Sequence, residues 1–401
     1  RRGGAVADAR IALLEETAGA PLELDPSTGE VFAARAEKSG RGWVVHTSLP
    51  TIGTRLLVFP KKKQKGRLPA ARPQLRVASK AKLAPKAWDY ALTEPNALVL
   101  DKAAWRIGGG KWEKPLEVLA IDRKVRDHLG ILHRGGGMMQ PWAVAKDKPA
   151  RRASVELKLE FEVEALPTGG VELALENPAA CAVALNGALV DMDNEHGWWV
   201  DPAIRLVALD AALLKPGKNE LYVCLEYGEH DAGLEMMYLL GQFGARAGKG
   251  GTPVMTKLPP SLKLGDWNTQ GLAFYTGNVV YRAQVRAPRV KGKRLFLSVP
   301  DYRGAAVRVL VDGEPAGIIF TAPQEVDITA LVKGASAEVA IEVSASRRNA
   351  FGPLHFPEMW PVGVGPGHWM THGTPQWTDE FVLVPCGLMK APELVVKEVA
   401  R

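Results

Sequence analysis

The chain has 401 residues, 46% of them hydrophobic and 24% charged, which is the composition of a folded protein with length for two or three domains of roughly 100–200 residues. Its net charge of +7 is local: ten Lys and Arg and no acid lie between Lys61 and Lys86, leaving the remainder slightly acidic. That run has no aromatic side chain on which bases could stack, which argues against a nucleic-acid partner. Nowhere do 18 apolar residues follow one another, so a helical membrane span is not expected either. Cys181, Cys224 and Cys386 are too few and too scattered for a disulfide framework or a zinc site. The opening RRGGAVADAR lacks the apolar core of a signal peptide. A sequence that begins this way reads as the downstream part of something longer, with any export signal, and so the compartment, written upstream.

In chain order, Ala5 to Thr17 places Ile11, Leu13 and Leu14 at helical spacing and predicts a short helix. The rest of 1–60 alternates extended runs with turn clusters at Asp25–Gly29 and Lys38–Gly42. This small β segment cannot bury a core alone and reads as the end of a preceding domain. Residues 61–86, with three prolines and few large apolar side chains, read as a solvated basic linker.

A first module, 87–250, opens with helical spacing at Leu116, Leu119, Val125 and Leu129. It then turns to strands: VELKLEFEVEAL alternates with period two from Val155 to Leu166, and short extended runs follow between Pro, Gly and Asn turns, the pattern of a β-sandwich. A second module, 251–401, repeats the first and ends in an aromatic-rich loop. Asn186–Gly187 followed by Asp201 matches Asp312–Gly313 followed by Asp327, both pairs at an offset of 126 residues. Asn-Gly and Asp-Gly are strong hairpin signals, so each copy should build the same sandwich edge. The fold class is therefore mainly β, with two tandem β-sandwiches preceded by a small β segment.

The most distinctive stretch is LGDWNTQGLAFYTGNVVY, Leu264 to Tyr281. It sets Trp267 and Tyr275 beside Asp266 and Gln270, the mixture of flat apolar faces and hydrogen-bonding groups that glycan pockets use. The same residues also suit an aromatic-lined turn feeding a sandwich core. Gly271 and Gly277 are placed for tight turns. Trp198 and Trp199, adjacent in a strand, should point to opposite faces, one into the core and one outward to stack on a pyranose ring. DMDNEHGWW offers Asp191 and Asp193 in nearly a calcium-loop composition, but His196 stands where an EF-hand loop needs glycine. The tail loop adds Trp360, Trp369 and Trp377 with His355, His368 and His372, at spacings that match no zinc motif. GEHDAGLE, with Glu229, His230, Asp231 and Glu235, reads as a polar loop.

An xVxVNG hairpin, a later D(I)T segment and the strand LKPGKNELYVCLEY resemble the galactose-binding-like, sugar-binding jelly-roll module of many glycoside hydrolases. In the second copy, LVKGASAEVAIEVSAS has lost the Asn. The ordered phrases EPNALVLD, GWWVD, LEMMYLLGQFG, LGDW–QG–FYTG–VVY, SASRRNAFGPLHF and WTDEFVLVPCGL resemble the C-terminal β-sandwich region of bacterial α-L-rhamnosidase-like and family-two-like glycosidases. The likeness covers roughly residues 85–390. It implies two galactose-binding-like jelly-rolls, a glycan ligand, a catalytic domain of the same enzyme as partner, and a structural Ca²⁺ as the one cofactor to consider. Asn349 and His355 join the candidate glycan-binding residues through RRNAFGPLHF. A parent that degrades polysaccharide implies a periplasmic or secreted setting.

A glycosidase needs two carboxylates flanking the scissile bond, carried in the enzymes resembled here by a barrel of alternating strands and helices. That alternation is missing, so no catalytic residue is assigned and hydrolysis is expected of a domain outside this sequence. The rival expectation is a purely structural or assembly role, in which Trp198, Trp199 and Trp267 are buried against protein.

Overall fold

A computed structural model describes residues 6–13, 17, 19–26, 28–49, 53–62, 69–134, 150–288, 290–359 and 363–400. It is a mainly antiparallel β structure with two α-helices among the described residues, as the strand patterns predict. The chain divides into two compact units. Arg1–Asp89, Val280–Ser344 and Leu388–Arg401 form the first; Tyr90–Val279 and Ala345–Gly387 form the second. The boundary expected at 250/251 thus falls inside the second unit, which also takes most of the tail.

Two expectations for the N-terminal part are corrected. The helix expected over Ala5 to Thr17 is instead the strand Val6–Leu13, paired antiparallel with Gly42–Leu49. Three apolar residues over four positions are too short a run to choose between periods, and a ladder partner decides. The basic linker contains the strand Leu75–Lys82, paired antiparallel with Glu393–Val399. Arg76 meets Glu398 at 2.8 Å and Lys80 meets Glu393 at 3.1 Å across that pair. The Lys and Arg read as linker charge are the cations that guard an edge strand against a foreign strand. Residues 63–68 of the same run lie outside the described residues.

In the second unit one sheet runs Glu113–Glu117, Lys102–Ile107, Arg152–Val163, Gly217–Gly228, Cys181–Leu185, Ala188–Leu189. The other runs Glu195–Trp199, Asp201–Leu209, Val171–Glu176, Met237–Gly241, Asn96–Leu100. Between them lie Leu157, Leu159, Leu173, Val207, Leu221, Val223 and Leu239, all fully buried. Every residue of Asn96–Leu100 and Met237–Gly241 is buried, so these strands are covered on both faces. One cover is the tail segment, whose Phe351 ring lies 5.2 Å from that of Tyr238.

Helix α1, Val118–Leu129, stands where the sequence spacing places it. The Glu117 side chain caps its N-terminus by accepting from Ala120 N, and Gly130 at φ 63° ends it, donating to the Arg126 and Asp127 carbonyls. The helix buries Val118, Ile121 and Val125 and, unusually, Asp122. Asp122 Oδ1 accepts from Tyr227 OH at 2.7 Å and Leu234 N at 2.9 Å; Oδ2 accepts from Arg126 Nε at 3.0 Å and Arg134 Nε at 3.1 Å. A buried carboxylate needs such a full set of donors. Through Glu235, which Arg134 also binds, the GEHDAGLE loop is anchored to this network.

The first unit repeats the arrangement with fewer strands. Its sheets run Glu314–Ile319, Ala306–Val311, Ser336–Ser344, Asn278–Arg286, Asp89–Leu92 and Glu325–Asp327, Arg294–Ser298, Glu393–Val399, Leu75–Lys82. Strand for strand the orders correspond, so the duplication read from the sequence holds. Asn186 (φ 51°) and Asp312 (φ 48°) occupy the same left-handed turn position. Asn186 Oδ1 accepts from Glu220 N at 3.1 Å, and Asp312 Oδ1 accepts from Glu338 N at 2.8 Å. The second marker of the repeat is corrected. Asp327 ends its strand and its Oδ1 accepts from Thr329 N, as Asp210 follows the strand Asp201–Leu209 and accepts from Ala212 N. Asp210 rather than Asp201 is thus its counterpart.

Candidate functional site

The Leu264–Tyr281 stretch, the first choice for a glycan pocket, is folded into the protein. Trp267 is completely buried, its ring edge-on to Tyr275 at 6.1 Å, and its backbone N–H donates to the Cys386 carbonyl at 2.9 Å. Asp266 Oδ1 accepts from Asn268 N and Cys386 N, at 3.0 and 3.1 Å. Gln270 closes a loop with Lys263, accepting from its N–H at 2.8 Å and donating to its carbonyl at 3.2 Å. Tyr275 is 1% exposed; its hydroxyl accepts from Thr93 N at 3.0 Å and donates to the Asn278 carbonyl at 2.7 Å. Gly271 does adopt a positive φ, 91°, whereas Gly277 is required by close approach: a Cβ there would lie 2.3 Å from Glu94 Cγ.

Asn349 is likewise spent inside, its amide donating to Asn268 Oδ1 at 3.1 Å and Val384 O at 2.9 Å while its Oδ1 accepts from Val384 N at 2.8 Å. The sugar-binding roles expected of Asp266, Trp267, Gln270, Tyr275 and Asn349 are corrected on this geometry. The side-chain hydrogen bonds of Asp266, Gln270, Tyr275 and Asn349 go mainly to the protein's own backbone, and the buried rings of Trp267 and Tyr275 offer no face to a ligand.

The tryptophan pair divides as its strand position predicts. Trp199 is 7% exposed and packs on Tyr238 at 5.0 Å and Phe351 at 5.1 Å. Its Nε1 donates to Glu94, which Arg347 grips with two hydrogen bonds of 2.7 and 2.8 Å. Trp198 is 53% exposed, and next to its neighbour Val200 takes φ 63°, strained for a β-branched residue. Asp191 spends both oxygens in its own turn, on Asp193 N and the Asn194 amide. Among the described residues no three His, Cys, Asp or Glu side chains gather to hold a metal.

The tail loop gathers the remaining polar and aromatic groups. His355, 4% exposed, points its Nδ1 at the carbonyls of Thr378, at 2.9 Å, and Glu380, at 3.3 Å, while its Nε2 lies 2.8 Å from Asp101 Oδ2. Trp377 stacks at 4.6 Å on His355 and meets His372 at 4.8 Å; burial holds the His372 imidazole below its ordinary range. Lys102 Nζ clasps the loop through Asp379 O at 3.0 Å and Asp379 Oδ1 at 2.9 Å. Trp369 Nε1 donates to Phe351 O at 2.9 Å. Trp360 lies outside the described residues.

Two cavities adjoin through His368. A small one, about 10 Å³, is lined by Asp101, Glu117, Met236, His355, Trp369 and Trp377, among others. It has room for about one water, so its two carboxyl groups cannot flank a glycosidic bond as hydrolysis requires. An open depression of about 340 Å³ is lined by Phe356, Gly365, Pro366, Gly367, His368, Thr371 and Gln376. Within it the His368 ring stands edge-on to Phe356 at 4.8 Å, and its Nδ1 is bonded to Gly365. The sequence reading missed Asp101, Glu117, Thr371 and Gln376. Asp101 and Glu117 close apolar runs as ordinary strand ends do, and only the density of aromatics pointed to this loop at all.

Fold and site together define a duplicated antiparallel β-sandwich protein whose second unit carries an aromatic loop and a concave surface. No family model matches the chain, and no curated protein matches it. Among solved structures it is similar to a rhamnosidase from Novosphingobium sp. PP1Y, at 15% identity over 69% of this chain and 26% of that one, TM-score 0.25. It is also similar to a Streptomyces avermitilis α-L-rhamnosidase complexed with L-rhamnose, at 13% identity over 82% and 40%, TM-score 0.22. A Bifidobacterium dentium β-glucuronidase shares 21% identity over 39% and 29%, TM-score 0.24. The chain thus spans between about a quarter and two-fifths of the length of these glycosidases.

Proposed function

We propose that this chain is an accessory β-sandwich region of a glycoside hydrolase that binds glycan, with hydrolysis done by a catalytic domain outside this sequence. The observation that carries the reading is the 340 Å³ depression on the tail loop. Its volume falls in the range of small-ligand sites, and it combines an aromatic ring with an imidazole, an amide and a hydroxyl. Phe356 supplies the apolar floor, and His368, Thr371 and Gln376 supply hydrogen bonds to sugar hydroxyls. Trp198, exposed on an edge strand, is a second stacking platform. Titrating the full chain with neutral and acidic monosaccharides and short oligosaccharides, followed calorimetrically, tests this. Gln376→Ala, at an exposed residue with no buried partner to lose, should weaken binding about tenfold with an unchanged melting temperature. Equal binding by variant and parent removes the depression from the reading.

The rival, a structural or assembly module that binds no sugar, is favoured by one specific observation: Trp199 and Trp267 are both buried against protein. Absence of heat and of chemical-shift change with every sugar would decide for it.

A further inference from the structure

The small cavity, which shares His368 with the depression, brings together three groups. Asp101 is 98% buried, and its Oδ1 has no hydrogen-bond partner in the protein. A buried carboxylate oxygen left bare costs free energy that one ordered water would recover, and the cavity is of one-water size. Glu117, 5% exposed, lines the same cavity and anchors the first turn of α1 through its Oε2, 2.9 Å from Ala120 N. The third group is His355. Its Nδ1 faces only carbonyl acceptors, so that nitrogen carries hydrogen, and its Nε2 lies 2.8 Å from Asp101 Oδ2, tying the tail loop to the strand end.

We propose that one water bridges Asp101 Oδ1 and Glu117, and that this water-linked acid pair, with His355, is a proton-controlled latch holding the tail loop on its sandwich. The groups facing Glu117 are Asp101 from the strand junction before Lys102, Glu235 from the loop after Gly228, His355 and His368 from the tail loop, and the N–H groups of Leu119 and Ala120 from its own helix. Burial, chiefly, and then the negative charge of Asp101 push the Glu117 carboxyl up to about 8. In the latched state Glu117 therefore keeps its proton up to that pH and donates it to the water. Unlatched and solvated, it ionises near 4.5. The sign follows: a proton bound more tightly in the closed state makes latching strongest in acid. Closure weakens as pH rises from about 4.5 to about 8 and levels off above, where both states are ionised. Because His368 lines both cavities, the latch sets the shape of the depression. That bearing on ligand access rests on the glycan reading; the latch itself does not.

Hydrogen exchange on the full chain without sugar tests it, so the two readings fail separately. After correction for intrinsic rates, amides of residues 363–380 should lose about tenfold or more of their protection between pH 5 and pH 8, with Arg152–Val163 as the steady reference. Glu117→Gln, which cannot ionise, should lose none. Asp101→Asn, which keeps a hydrogen bond to His355 but removes the negative neighbour, should lose less than the parent and serves where Glu117→Gln does not fold. No loss in the parent, or the same loss in both variants, overturns the latch. A crystal structure fine enough to show ordered waters should hold one between Asp101 and Glu117, and an empty cavity there also overturns it.

Discussion

The two sandwiches share a strand order and a hairpin, yet they support that hairpin differently. In the second unit, Asn219 stands one residue before Glu220 and is 2% exposed. Its amide donates to the carbonyls of Lys215 and Gly217, and its oxygen accepts from Asn186 and Lys215 N, at 2.7 to 3.0 Å. In the first unit the equivalent residue before Glu338 is Ala337, buried and apolar, and Asp312 makes the turn contact without that support. The second unit also covers both faces of its inner strands, whereas in the first the edge strand Leu75–Lys82 is almost wholly exposed. A duplicated fold thus keeps its hairpin chemistry in both copies, while the polar network and the concave loop grow where an extra layer of chain lets polar groups be buried and satisfied.

Five substitutions would break or sharpen that contrast. The largest effect is expected at Trp267, at the heart of the second unit: Trp267→Ala should cost about 3–5 kcal/mol in denaturant unfolding. Trp267→Phe should cost less, because the ring's N–H has no partner to lose. A small loss with Ala would mean that the tail and the 266–275 turn do not share a core. Next, Asn219→Ala should cost about 1–3 kcal/mol by leaving buried backbone groups unpaired. The converse change, Ala337→Asn, should not stabilise the first unit; equal and opposite shifts in unfolding midpoint would show that the two hairpins are interchangeable. The smallest is Trp198→Ala, expected to move stability by no more than about 0.5 kcal/mol while weakening any glycan that stacks on it. A stability loss of core size would place Trp198 among the buried tryptophans.

Much of this architecture is legible in the residues. Period-two alternation marks the strand Arg152–Val163, helical spacing marks α1, and Asn186–Gly187 with Asp312–Gly313 reveals the duplication. The site was harder to read for a physical reason. Aromatic residues beside amides and carboxylates serve a sugar pocket and a buried polar turn equally well, and only burial separates them: Trp267 and Asn349 went inward, Trp198 stayed out. The carboxyls of Asp101 and Glu117 acquire meaning only when a loop more than 230 residues further on brings His355 against them. Leu75–Lys82 reads as linker in the sequence because its ladder partner lies at the far end of the chain.

That last pairing has a temporal side. Arg76 and Glu398, hydrogen-bonded across the sheet, are separated by 322 residues. On a ribosome making about 5–20 residues per second, the earlier strand waits many seconds for its mate. Meanwhile Leu295 and Leu297 lack the strand that will flank them. Removing Glu393–Val399 would leave the chain permanently in that nascent condition.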